Sequence, residues 1–70
     1  MKIDTEKLNI AVANSGMMLK DVASASGLSD VALRNIRTGK SEPKLRTIGR
    51  IANALGVGVQ EIIVMKGDEE

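Results

Sequence analysis

Six cations crowd one third of the chain. Arg34, Arg37, Lys40, Lys44, Arg46 and Arg50 fall within residues 30–50 and meet only Asp30 and Glu42 there, a balance of +4. The chemistry open to such a cluster is electrostatic, because a concentrated positive field draws polyanions whatever the total charge. The total here is only +1, since the rest of the chain offsets the cluster. Residues 1–29 set Lys2, Lys7 and Lys20 against Asp4, Glu6 and Asp21, giving zero, and residues 51–70 set Lys66 against Glu61, Asp68, Glu69 and Glu70, giving −3. A modest net charge therefore leaves a nucleic-acid partner open.

Other chemistries find no support. Histidine and cysteine are both absent, which removes the commonest general base, the thiolate nucleophile and the commonest transition-metal ligands. No set of nucleophile, base and orienting group can be assembled, so catalysis is not expected, nor a metal or a cofactor. The carboxylates Glu61, Asp68, Glu69 and Glu70 read as a solvated end and tail. The absence of Phe, Trp and Tyr excludes the aromatic platforms on which single strands stack.

The elements that must position these cations are helices. Seventy residues make one domain, and a chain this short buries only ~60% of the surface its unfolded form exposes. Without disulfides or aromatics, its core must come from Leu, Ile, Val, Met and Ala, a composition suited to packed helices. The expected class is all-α, with a domain over residues 1–66 and a flexible acidic tail over residues 67–70. Acidic Asp4 and Glu6 near the start argue against a signal peptide. The longest apolar run, residues 62–65, is far too short to span a bilayer, so a cytoplasmic protein is expected.

Period and punctuation predict five short helices. Asp4 and Thr5 suit an N-cap, and Leu8, Ala11, Val12 and Ser15 keep helical spacing up to Gly16. A second helix is expected over Leu19–Ser26, with Val22 and Ala23 inward and Gly27 ending it. Ser29 caps the third, Asp30 suits the positive end of its dipole, Leu33 and Ile36 form its inner face, and Gly39 stops it. Residues 40–43 read as a polar loop. In the fourth helix, starting near Lys44, Ile48, Ile51, Ala52 and Leu55 fall at i, i+3, i+4 and i+7 and line one stripe. Gly49 inside it either permits close approach of a neighbouring helix or is a tolerated cost. Gly56 ends the fourth helix, and Val59, Ile62 and Ile63 predict a fifth; no strand signal is evident.

The informative stretch is Val22-Ala23-x3-Gly27-Leu28-Ser29-x3-Leu33-x2-Ile36. Ala23 is small where two helices cross, Gly27 makes a sharp turn, Leu28 anchors it, and Ser29 caps the helix that follows. Two helices joined steeply leave the far side of the second one exposed and able to enter a major groove. With Gly39, Pro43 and Ile51-Ala52-x2-Leu55-Gly56-Val57 added, the pattern resembles the phage repressor and Cro family of helix-turn-helix domains, also called the xenobiotic-response-element family. The resemblance covers roughly residues 8–63. It implies a compact five-helix, lambda-repressor-like domain that binds operator DNA, usually as a homodimer, with helix 3 in the major groove.

Matched position by position, the resemblance puts base reading on Asp30, Val31, Arg34 and Asn35. Backbone contact falls on Leu19, Ser29, Thr38, Lys40 and Lys44. The chemistry is consistent: Asn35 suits adenine N6 and N7, Arg34 suits guanine or a phosphate, Val31 suits a thymine methyl, and Asp30 suits cytosine N4 or the helix dipole. Two departures stand out. Relatives often begin helix 2 with Thr-Gln, which caps it and touches a phosphate; here Met18 and Leu19 stand there. Many also pair an Arg of helix 1 with a Glu ending helix 3, where this chain has Val12 and Arg37, so Arg37 is left to face solvent or a phosphate.

Two functions compete. One is a sequence-specific duplex DNA-binding regulator, a repressor acting as a homodimer through apolar Val59, Ile62, Ile63 and Val64. The other is an antitoxin-like or adaptor module that keeps the fold and binds protein, favoured by Met18, Leu19 and Asp30. Neither implies a membrane or a small-molecule effector.

Overall fold

The computed structural model describes residues 1–65. The expected acidic tail, residues 67–70, lies outside the described residues. Four α-helices follow one another: α1 (Thr5–Ser15), α2 (Leu19–Ser26), α3 (Asp30–Arg37) and α4 (Leu45–Leu55), then one 3-10 turn at Val59–Glu61.

Local chemistry sets the helix ends. The Asp4 carboxylate accepts from the Lys7 amide at 3.0 Å and so caps α1. The Ser29 hydroxyl accepts from the Ala32 amide at 3.0 Å and caps α3. Either cap satisfies a donor that the helix itself leaves open. Between α2 and α3 the chain turns on Gly27, whose φ of +74° places it in the left-handed region. Its amide donates to the Ser24 carbonyl at 3.1 Å and that of Leu28 to the Ala23 carbonyl at 2.8 Å, the paired bonds of a Schellman ending. A side chain at Gly27 would be strained by φ alone.

The core gathers around α4. Ile48 and Ile51 have no exposed surface, and Ala52 and Leu55 complete the expected stripe. α2 makes the most extensive contact with α4, and Ala23 in it is 1% exposed. Leu8, Ala11 and Val12 of α1, Val22 of α2, and Leu33 and Ile36 of α3 close the remaining sides. Ser26 is the buried polar residue of this region, and its hydroxyl donates to the Val22 carbonyl at 2.7 Å. Gly49 does not serve close packing, because a Cβ placed there would meet nothing within 4 Å.

The fifth helix is replaced by something shorter. Only Val59–Glu61 form a 3-10 turn, held where the Gly58 amide donates to the Glu61 carboxylate at 3.0 Å. Ile62 and Ile63 leave the turn, and Ile63 pairs with Ile3 in an isolated antiparallel bridge. Asp4 donates its amide to the Ile62 carbonyl at 3.0 Å, and Val64 donates to the Lys2 carbonyl at 2.8 Å. The preceding residues offer these β-branched side chains an extended partner, which suits them better than one more helical turn. Ile3, Ile62 and Ile63 all join the core. No strand forms among the described residues, as expected, and this pairing is a single isolated bridge.

That correction removes a support for self-association. Ile62 is fully buried and Ile63 is 8% exposed within the chain itself, so neither is left over for a second copy.

Candidate nucleic-acid interface

At 3.6 residues per turn, successive side chains step about 100° around a helix. Leu33 and Ile36 of α3 point inward and are buried. Val31 and Thr38 therefore lie at the centre of the opposite face, with Arg34 and Asn35 on either side of that centre. Val31 is 57% exposed, and Arg34 and Thr38 are exposed, while Asn35 is half-buried. Three of the four expected base-reading residues thus share one outward face. The fourth, Asp30, sits on the flank of α3 that borders the start of α2, in the same row as Arg37.

The hydrogen bonds of this face separate available groups from occupied ones. The side chains of Arg34 and Asn35 have no partner among the described residues, so the Asn35 amide and the guanidinium of Arg34 are open to a ligand. Ser29 accepts from Ala32 but keeps its hydroxyl proton, which a phosphate oxygen could accept. Thr38 is different: its hydroxyl donates to the Arg34 carbonyl at 2.9 Å, and its amide donates to the same oxygen at 3.0 Å. Both its donors are taken, so a phosphate contact there requires the side chain to rotate.

Lys40 and Lys44 are exposed on the loop that leaves α3. The loop is tied back where the amides of Lys40 and Ser41 donate to the Asn35 carbonyl at 2.9 and 3.1 Å. Neither lysine side chain has a partner among the described residues, nor do those of Lys20, Arg46 and Arg50. Glu42, the one carboxylate of the loop, accepts from the Ile3 amide at 3.1 Å and forms no ion pair with these cations. α2 and α4 start without a side-chain cap, at Met18 and Lys44. Their first amides are thus uncovered donors; at α4 they lie beside Lys44 and Arg46 with no acidic residue in the first turn, an arrangement favourable to anions, whereas at α2 Asp21 accompanies Lys20.

Arg37 is held at one nitrogen, by a contact that the sequence does not announce. Its Nε donates to Asn9 Oδ1 at 2.9 Å, and Asn9 Nδ2 donates to the Arg37 carbonyl at 3.3 Å and to the Thr5 carbonyl at 2.9 Å. The α1 residue that meets the end of α3 is therefore Asn9, not Val12, which is buried in the core. A neutral amide replaces a charged pair at this junction, so no ion pair must be desolvated there.

This geometry is that of a helix-turn-helix unit, with α2 and α3 as its two helices. The model of the Cro and C1-type helix-turn-helix family matches residues 11–62. The chain belongs to that family, whose members are DNA-binding regulators. No curated protein matches the sequence. Among solved structures, the chain is similar to the restriction-modification controller protein C.AhdI from Aeromonas hydrophila, with a TM-score of 0.77 and 23% identity over 81% of this chain and 86% of that one. It is also similar to the hypothetical transcription factor NHTF from Neisseria, with a TM-score of 0.75 and 17% identity over 99% of this chain and 86% of that one. At such identities the likeness is one of fold. No helix among the described residues is long and apolar enough to cross a membrane.

Proposed function

We propose that the chain is a sequence-specific regulator of transcription that inserts α3 into the major groove of duplex DNA as a homodimer and represses by occupying its site. Arg34 and Asn35 read base edges, Val31 meets a thymine methyl, and Asp30 stabilises the start of α3 and accepts from a cytosine N4 at the edge of the contact. Lys40 and Lys44, the Ser29 hydroxyl and a rotated Thr38 hold phosphates. The observation that carries this reading is the outward face of α3, where exposed Val31 lies between two side chains with no partner, flanked by cations without an ion-pair partner among the described residues.

Two grounds support the second copy. The family commonly pairs on pseudo-palindromic sites, and Ile10, 54% exposed, lies beside Val57 in a shallow depression between α1 and the chain after α4. Half-sites would then be about 34–36 Å apart, or a multiple of that. Selection of bound duplexes from a random pool, at two salt concentrations, tests the whole reading. An enriched inverted repeat is expected at both. Binding without enrichment that vanishes as salt rises is the phosphate term alone and would remove sequence reading.

One observation favours a protein-binding adaptor instead. Met18 is 62% exposed and Leu19 41% at the start of α2, where polar side chains suit a phosphate better. Charge reversal at Arg34 and Lys44 separates the two, since an adaptor keeps its partner and a regulator loses DNA.

A further inference from the structure

Between the start of α2 and the flank of α3 lies a notch of about 240 Å³, lined by Leu19, Lys20, Asp30, Leu33, Arg34 and Arg37. It is smaller than the roughly 300–1,000 Å³ clefts that take small organic ligands. Three cations line it against the single carboxylate of Asp30, so its walls carry +2. Like charges brought together without an anion repel one another, and none of these cations has an ion-pair partner among the described residues.

Arg37 is also fixed in direction. Its Nε is held at 2.9 Å by Asn9 Oδ1, and Asn9 is itself tied to the Thr5 carbonyl at 2.9 Å. With Nε engaged, the two terminal nitrogens remain as a planar fork without a partner, a geometry that matches two oxygens of one phosphate. Arg37 is half-buried, so an anion there would be less screened than on open surface.

We infer that this notch seats one backbone phosphodiester of the bound duplex, gripped by Arg37 and Lys20, with Asn9 as the positioning residue for Arg37. The inference rests on the reading of α3 as the DNA-facing helix. It adds a phosphate contact on the α2 flank of α3, separate from Lys40 and Lys44, at a position where Met18 and Leu19 offer no side-chain donor.

The test replaces each backbone phosphate of a bound duplex in turn by a neutral methylphosphonate. Affinity is then measured for the wild type, Arg37→Gln and Lys20→Gln. At one phosphate per half-site, the wild type should lose roughly tenfold or more, the magnitude of a lost charge-assisted hydrogen bond. Both variants should show little further loss at that same phosphate. Lys20 is exposed, so Lys20→Gln stays informative even if Arg37→Gln unfolds through its Asn9 tie. Coupling of neither variant to any phosphate overturns the inference while leaving DNA binding intact. Failure of the wild type to bind any duplex overturns the inference and the regulator reading together. A rise in melting temperature with inorganic phosphate at constant ionic strength, lost in Lys20→Gln and without coupling in the duplex, overturns the backbone assignment in favour of a free anion.

Discussion

Around the joined chain ends, carboxylates are taken up by backbone amides: Asp4 accepts from Lys7, Glu42 from Ile3 and Glu61 from Gly58. On the face made by α3, the loop after it and the starts of α2 and α4, the side chains of Lys20, Arg34, Lys40, Lys44 and Arg46 have no partner among the described residues. The same composition is thus sorted in two ways. Anions close the fold, and the cations they might have neutralised stay open. A chain with a net charge of only +1 keeps a positive face because these three carboxylates are engaged elsewhere, and in the α2–α3 notch Asp30 alone stands against three cations. Local field, not total charge, then governs what the face attracts.

The largest expected effect on stability breaks the closed region. Ile62 is fully buried beneath the chain-end bridge, and Ile62→Ala should cost about 2–5 kcal/mol, the usual range for such a truncation. Urea denaturation measures it, and a loss below 1 kcal/mol would mean that the chain ends are not part of the cooperative fold. Next, Arg34→Glu with Lys44→Glu should leave urea stability within about 0.5 kcal/mol, as surface changes usually do. The same pair should weaken DNA binding by about 2–6 kcal/mol if each site contributes the usual 1–3. A large loss of stability would show that the open face also supports the fold.

Glu42→Ala sharpens the contrast, because one residue touches both regions. It leaves the amide of buried Ile3 without an acceptor, and stability should fall by about 1–3 kcal/mol. Low-salt DNA binding should strengthen, since an anion leaves the cation-rich segment. If both quantities fall, the carboxylate serves the DNA-facing side as well. The smallest effect is at Gly49, where a Cβ meets nothing within 4 Å. Gly49→Ala should raise stability by up to about 1 kcal/mol through helix propensity, with DNA affinity unchanged. A decrease would reveal a packing role that the geometry does not contain.

The helix-turn-helix was legible because its signals are local. Ser29 caps α3, Gly27 turns the chain, and the stripe from Ile48 to Leu55 repeats with helical period, so a few neighbouring residues suffice to read each. The outward face of α3 follows from the same period once Leu33 and Ile36 are taken as inner. What escaped depends on residues far apart in sequence. Ile3 meets Ile63 in a single bridge, which is too short to show a strand period. Asn9 meets Arg37 across 28 positions, and no spacing announces a neutral residue as the partner of a cation. Ile62 and Ile63 read as spare only on a fifth helix, which gives way to the bridge with Ile3. Lys20 escaped for a similar reason, since only folding sets α2 beside Arg37 in the notch.

The central claim is that the open face, and not the closed one, meets DNA. The most direct measurement is an NMR titration of backbone amides with a selected duplex. Shifts should concentrate at Lys20, Val31, Arg34, Asn35, Lys40 and Lys44, while Ile3 and Ile63 stay in place. Shifts gathered around the chain ends, with α3 unmoved, would contradict it.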